Sequence, residues 1–141
     1  MEFITAKEKA IKYIGISKKT SQEVSKKLKN LGVEDATIYK VIEYLEELGY
    51  LDDVDYVESY IRQNVKMQKY SKYELKQKLL QKGIKASIIE TYFESNLPSD
   101  YENQVVNKLN CSKLKCYDEQ KKREYLYRRG FKLDNIFDIY E

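Results

Sequence analysis

Three stretches of this chain repeat one pattern: TSQEVSKKLKNLGV at residues 20–33, SKYELKQKLLQKGI at 71–84 and DEQKKREYLYRRGF at 118–131. Each opens on a helix-capping residue (Thr20, Ser71, Asp118), reaches a glycine twelve positions later (Gly32, Gly83, Gly130), and then places an apolar residue. From glycine to glycine the steps are 51 and 47 residues, so one unit is written three times in a chain of 141. A period of that size predicts stacked helical units, none of which buries its apolar face alone.

Each unit reads as three helices. Thr20-Ser21-Gln22-Glu23 and Ser71-Lys72-Tyr73-Glu74 set a carboxylate three residues after a hydroxyl. That spacing lets each side chain satisfy an orphaned amide at a helix start. Thr5-Ala6-Lys7-Glu8 has the same spacing and predicts the same cap on the first helix. Val24 and Leu28, then Leu75 and Leu79, fall four apart and share a helical face. The glycines stand where a left-handed residue closes a helix. Third helices follow as stripes: Ile38, Val41, Ile42, Leu45 and Leu48, ended by Gly49; Ile88, Ile89, Tyr92, Phe93 and Leu97; and Ile136, Phe137, Ile139 and Tyr140. First helices read as Ala6-Ala10-Tyr13-Ile14, Val57-Tyr60-Ile61-Val65 and Tyr101-Val105-Val106-Leu109. No stretch alternates as a strand does. The expected fold is all-α, an elongated tandem array of three three-helix, helix-turn-helix-like repeats. Nine helices are expected, with Leu28, Ile38, Leu45, Leu79 and Ile89 buried.

The repeats divide at residues 1–51, 52–97 and 98–141. Asp52 or Asp53, after Gly49-Tyr50-Leu51, is placed to cap the first helix of repeat two. Pro98, the single proline, breaks the chain between repeats two and three. Repeat three diverges: Lys122 stands where Val24 and Leu75 stand, its stem left to cover the apolar face. Tyr56 and Tyr60, one turn apart, read as packing residues.

Charged residues make up 35% of the chain and hydrophobic ones 42%, as in a folded protein with a densely ionised surface. With a mean hydropathy of -0.72 and no 18-residue apolar run, a membrane span is not expected. The start, MEFITAKEKA, has no signal-peptide core, which points to the cytoplasm. Cys111 and Cys116 are the only cysteines and there is no histidine, so a zinc site is not expected and the thiols read as incidental. The chain lacks a phosphate-binding glycine loop and a nucleophile with a base. No enzyme activity, catalytic residue, cofactor or metal is expected.

Net charge is +3, but the charges are sorted. Residues 66–85 hold seven lysines against Glu74, while residues 34–55 hold eight acids against Lys40. The basic segment supplies the candidate contact surface: Lys66, Lys69, Lys72, Lys76, Lys78 and Lys82. Lys72 and Lys76 are four apart, as are Lys78 and Lys82, so each pair shares a helical face. Lys72 and Lys76 are the favoured contacts, since the other flank has the acidic helix at 34–48 as a possible partner.

The segment GYLDDVDYVESYIRQNVKMQKYSKYELKQKLLQKGI at residues 49–84 resembles the central region of the RecX proteins, regulators of the RecA recombinase. The likeness rests on Gly49-Tyr50-Leu51-Asp52-Asp53 with Tyr56, and on Ser71-x-x-Glu74-Leu75-x-x-Lys78-Leu79 before Lys82-Gly83-Ile84. It extends back through Thr20-x-x-Glu23-Val24-x-x-Lys27-Leu28 and thins beyond Pro98. The resemblance implies a tandem three-helix fold and a regulator that binds the RecA–DNA filament. Such a regulator modulates, with inhibition favoured over stimulation, the ATPase, recombinase and coprotease activities of RecA in homologous recombination, DNA repair and the SOS response. On this reading the chain is a monomer, contacts no membrane, and binds single- or double-stranded DNA weakly and without sequence preference. The alternative is a helix-turn-helix transcriptional regulator. Its reading helix would be residues 34–48, where five acids against Lys40 oppose entry among phosphates.

Overall fold

The computed structural model describes residues 1–132. Among them the chain forms α1 (Phe3–Ile14), α2 (Ser21–Asn30), α3 (Asp35–Glu47), α4 (Asp53–Met67), α5 (Lys72–Gln81), α6 (Ala86–Asn96), α7 (Tyr101–Asn110) and α8 (Glu119–Arg128), and no strand. Three helices make unit one, three make unit two, and α7 and α8 open unit three. The ninth helix, expected from Ile136, Phe137, Ile139 and Tyr140, lies outside the described residues.

The second helix of each unit is closed at both ends as its sequence dictates. Thr20 accepts from the Glu23 amide at 3.2 Å while Glu23 accepts from the Thr20 amide at 3.1 Å, and Ser71 and Glu74 do the same. Asp118 caps α8 by accepting from the Lys121 amide at 2.8 Å. At the other ends the amides of Val33, Ile84 and Phe131 reach back to the carbonyls of Leu28, Leu79 and Leu126. That six-residue closure needs a positive φ at the preceding residue. Gly32, Gly83 and Gly130 supply it at 85°, 91° and 86°.

Two local expectations fail. Thr5 caps nothing: α1 begins at Phe3, and the Ala6 amide already bonds to the Glu2 carbonyl. Phe3 packs edge-on against Tyr44 at 5.8 Å, which commits the chain to the helix before Thr5 is reached. Leu48 is 55% exposed, while Leu51 takes the buried place. The turn at Gly49 brings the Tyr50 and Leu51 amides back to the Leu45 carbonyl and folds Leu51 onto the core. At the unit boundaries, Asp52 caps α4. Leu97, extended as a residue before proline must be, ends α6.

Leu28, Leu45, Leu79 and Ile89 are fully buried and Ile38 nearly so. Apolar packing is not divided evenly among the units. Unit one has its own core, built on Ala6, Ala10, Val24, Leu28, Val41 and Leu45. Units two and three share one, running from Val57 and Leu79 through Phe93 and Tyr101 to Leu126 and Phe131. Lys122 is half-buried, and Leu126 is the one buried residue of α8. Unit three therefore leans on unit two for its apolar cover.

Candidate functional site

The second helices meet end to end. The capping hydroxyl of Thr20 donates to the carbonyl of Lys82, the last residue of the α5 closure, at 2.6 Å. Ser71 donates likewise to the carbonyl of Arg129 at the end of α8, also at 2.6 Å. A cation from the later unit faces the capping carboxylate of the earlier one at both junctions: Lys82 lies 3.7 Å from Glu23, and Arg129 lies 2.9 Å from Glu74. The positive end of one helix dipole thus meets the negative end of the next. Burial works against the charge on Lys82, but Tyr56 and Glu23 outweigh it and raise its pKa. Arg129 behaves in the same way, with Glu74 and Tyr125 overriding its burial. At the first junction Asp53, the other capping candidate, accepts from the Ser21 amide at 2.9 Å, and Lys18 pairs with Asp55.

The six candidate lysines do not form one surface. Lys72 lies half-buried, its ammonium 6.0 Å from the Phe93 ring, and Lys76 pairs with Glu90 at 2.6 Å, so both face α6. The Lys76 ammonium holds the Glu90 carboxyl below its ordinary range. Lys78 stands 4.5 Å over the Tyr70 ring and Lys82 sits in the first junction. The acidic partners of this segment come from α2 and α6; the acids of α3 supply none of the ion pairs among the described residues. Lys66 and Lys69 are exposed and line a groove of about 770 Å³ between units two and three. Lys108 and Lys113 of unit three line the same groove, beside Met67 and Tyr125. Sequence reading missed these two because the segment between Lys66 and Lys85 does not contain them; the fold brings them across.

Tyrosines act as platforms for lysines. Tyr13 carries Lys19 and Lys27 at 4.8 and 5.5 Å, Tyr70 carries Lys69 and Lys78, and Tyr125 carries Lys113. Tyr56 and Tyr60 stack at 6.3 Å, and burial with the neighbouring tyrosines pushes the Tyr60 hydroxyl up to about 12, so it stays neutral. Behind the second junction, Glu102 is buried with one carboxylate oxygen unbonded, and burial lifts its pKa against the pull of Lys132 and Lys72. Cys111 and Cys116 are exposed free thiols. Among the described residues no group of histidine, cysteine or acids is arranged to hold a metal, and no helix is long and apolar enough to cross a membrane.

The same architecture recurs in known proteins. The family model for the first three-helix domain of RecX matches residues 6–45, and that for the second matches residues 52–92. The chain is 33% identical over 133 residues to the regulatory protein RecX of Prosthecochloris aestuarii, covering 93% of this chain and 88% of that one. It is 30% identical over 133 residues to that of Caldanaerobacter subterraneus subsp. tengcongensis, and 35% identical over 97 residues to that of Streptococcus agalactiae serotype III. The matches span 66% and 38% of those two proteins. In three dimensions it resembles the crystal structure of RecX from Lactobacillus salivarius, with a TM-score of 0.84 at 23% identity over 98% of this chain and 94% of that one. Two domain models in tandem, and a relative matched over nearly its whole length, establish that the chain belongs to the RecX family.

Proposed function

We propose that this protein is a regulator, without catalysis of its own, that binds the RecA–DNA filament as a monomer in the cytoplasm and restrains the ATPase, recombinase and coprotease activities of RecA during DNA repair. The observation that carries this is the family membership, since its relatives bear the name of regulatory proteins. The charge layout supports it. Lys66 and Lys69, two of the six candidate contacts, stand exposed and share a groove with Lys108 and Lys113. Lysines held by two adjoining units suit an anionic surface longer than one unit, such as a filament of protein and DNA. Contact with DNA alone is then weak, independent of sequence, and lost steeply with salt as counterions return to the phosphates. The transcriptional-regulator reading fares worse, because the groove-entering helix would be α3, whose first turn carries Asp35 and whose last turn has no basic residue.

The test adds the purified protein to RecA filaments on single-stranded DNA and follows ATP hydrolysis and filament length. The expected result is slower hydrolysis and shorter filaments, weakened by Lys66→Glu with Lys69→Glu. Unchanged filaments at saturating protein would refute the function. Full regulation by this double reversal would refute the surface.

A further inference from the structure

The outer face of α3 is left uncovered by the described residues. Ala36, Tyr39, Glu43 and Glu47 fall three and four apart and are exposed, on the side of the helix away from the buried Ile38, Val41 and Leu45. Tyr39 is 70% exposed, and the turn that closes the helix adds Leu48 and Tyr50, both exposed. Tyr13, Tyr70 and Tyr125 each carry a lysine. Tyr39 and Tyr50 have no such cation, and no ring partner, among the described residues.

The charges around these rings work against the helix that bears them. Glu43 and Glu47 stand four apart, a spacing at which like charges repel. Glu46 and Glu47 lie in the last turn, at the negative end of the helix dipole, and no basic residue there offsets them. Glu46 accepts from the Ser21 hydroxyl at 3.0 Å, but no acid of α3 has an ion pair among the described residues. Unit two shows the self-contained alternative. Its third helix has Glu90 at the repeat position of Tyr39, and Lys76 of α5 holds that carboxylate at 2.6 Å. Unit one has Ser25 at the repeat position of Lys76, so its second helix sends no cation across. Repulsion that the fold does not relieve, beside exposed aromatic rings, marks a surface shaped for something other than stability.

What covers such a face must be cationic. Phosphates are repelled by the acids, whereas an ammonium or guanidinium gains both from them and from a ring face. We propose that the outer face of α3 docks a lysine- and arginine-rich protein surface, whose cations meet Glu43 and Glu47 and the rings of Tyr39 and Tyr50. This rests on the filament reading above and adds an orientation to it. Unit one meets the recombinase protein, while the lysine groove between units two and three meets the anionic side of the filament.

Glu43→Gln with Glu47→Gln removes both charges at nearly constant shape, and Tyr39→Ala removes one ring; all three positions are exposed. Cosedimentation of the full chain with RecA filaments, assembled on single-stranded DNA with a slowly hydrolysed ATP analogue, gives the affinity. Binding to the same DNA without RecA is measured alongside. The glutamine pair is expected to bind the filament about fivefold more weakly, as for two exposed ion pairs lost. Its affinity for bare DNA is expected not to fall, and its melting temperature to rise by about 2–4 °C as the repulsion is relieved. Tyr39→Ala is expected to bind the filament about threefold more weakly, with the circular dichroism of the parent. Parent affinity in the glutamine pair would overturn the proposal and leave the filament reading standing. A parent that does not bind filaments would overturn both. Tighter filament binding by the glutamine pair would mean that the face is turned toward nucleic acid, and a lowered melting temperature that the acids serve the fold; either overturns the proposal. So does self-association of the parent that the glutamine pair abolishes, since the occupant is then a second copy.

Discussion

Ser71 performs two jobs with one hydroxyl, and two substitutions separate them. Its oxygen accepts from the Glu74 amide at 3.1 Å and its proton goes to the Arg129 carbonyl at 2.6 Å, from a fully buried position. Ser71→Ala loses both. The cap contributes about 1 kcal/mol. The junction bond contributes about as much again, and the stranded carbonyl adds its desolvation cost of about 1–3 kcal/mol. A total of about 3–5 kcal/mol is expected. Ser71→Asp keeps the cap, because aspartate ranks with serine there. It cannot donate, however, and it turns a carboxylate oxygen toward the Arg129 carbonyl. The Arg129 guanidinium gives little relief, being held already by Glu74 and the Lys69 carbonyl. The aspartate variant is therefore expected to be no more stable than the alanine one. At Asp118, which meets no helix end among the described residues, exchange to serine should change stability by less than about 0.5 kcal/mol. Urea titration of the full chain, followed by far-ultraviolet circular dichroism and tyrosine fluorescence, gives the midpoints at constant slope. A Ser71→Asp variant as stable as the parent would show that capping alone sets the value of this hydroxyl, and the junction bond would contribute nothing.

Other perturbations address the core, the glycines and the buried acid. Leu79→Ala, in the core shared by units two and three, should cost about 2–5 kcal/mol in the same titration. Gly32→Ala should cost about 1–2 kcal/mol for its left-handed backbone, and Gly130→Ala distinctly more, because its Cβ also meets the anchored Cβ of Tyr73. Equal losses would mean that the close approach is relaxed at no cost. Glu102 has a folded-state pKa raised above its ordinary 4.5, so the folded protein binds that proton more tightly than the unfolded one. Its contribution is most favourable below about pH 4.5 and falls as pH rises through the folded pKa. Glu102→Gln should accordingly raise the melting temperature at pH 7, with a gain that shrinks as pH falls through the raised folded pKa and is gone by about 4.5. A gain that grows on acidification would reverse the assignment.

What the chain determines by itself is what depends on neighbours within a helix turn. A hydroxyl and a glutamate three apart can close only one kind of helix start, and a glycine before an apolar residue closes the other end. The period of these signals therefore carried the all-α repeat and the buried leucines. It also carried the family likeness, since the motif is built from the same capping residues. Where two local signals compete, as Thr5 does with the packing of Phe3 on Tyr44, tertiary contact decides.

Only the fold decides where a side chain's second bond goes. Nothing in the spacing of residues 20 and 82, or of 71 and 129, says that a capping hydroxyl will donate to the end of another helix. The same holds for the lysines. Their number was legible, but Lys76 is spent on Glu90 and Lys78 on Tyr70, while Lys66 and Lys69 gain Lys108 and Lys113 as groove-mates from another unit. Local sequence sets which groups need a partner, because capping and backbone conformation act over three or four residues. Which partner arrives is set by packing across tens of residues, where apolar burial brings units two and three onto one core and leaves unit one joined through polar ends.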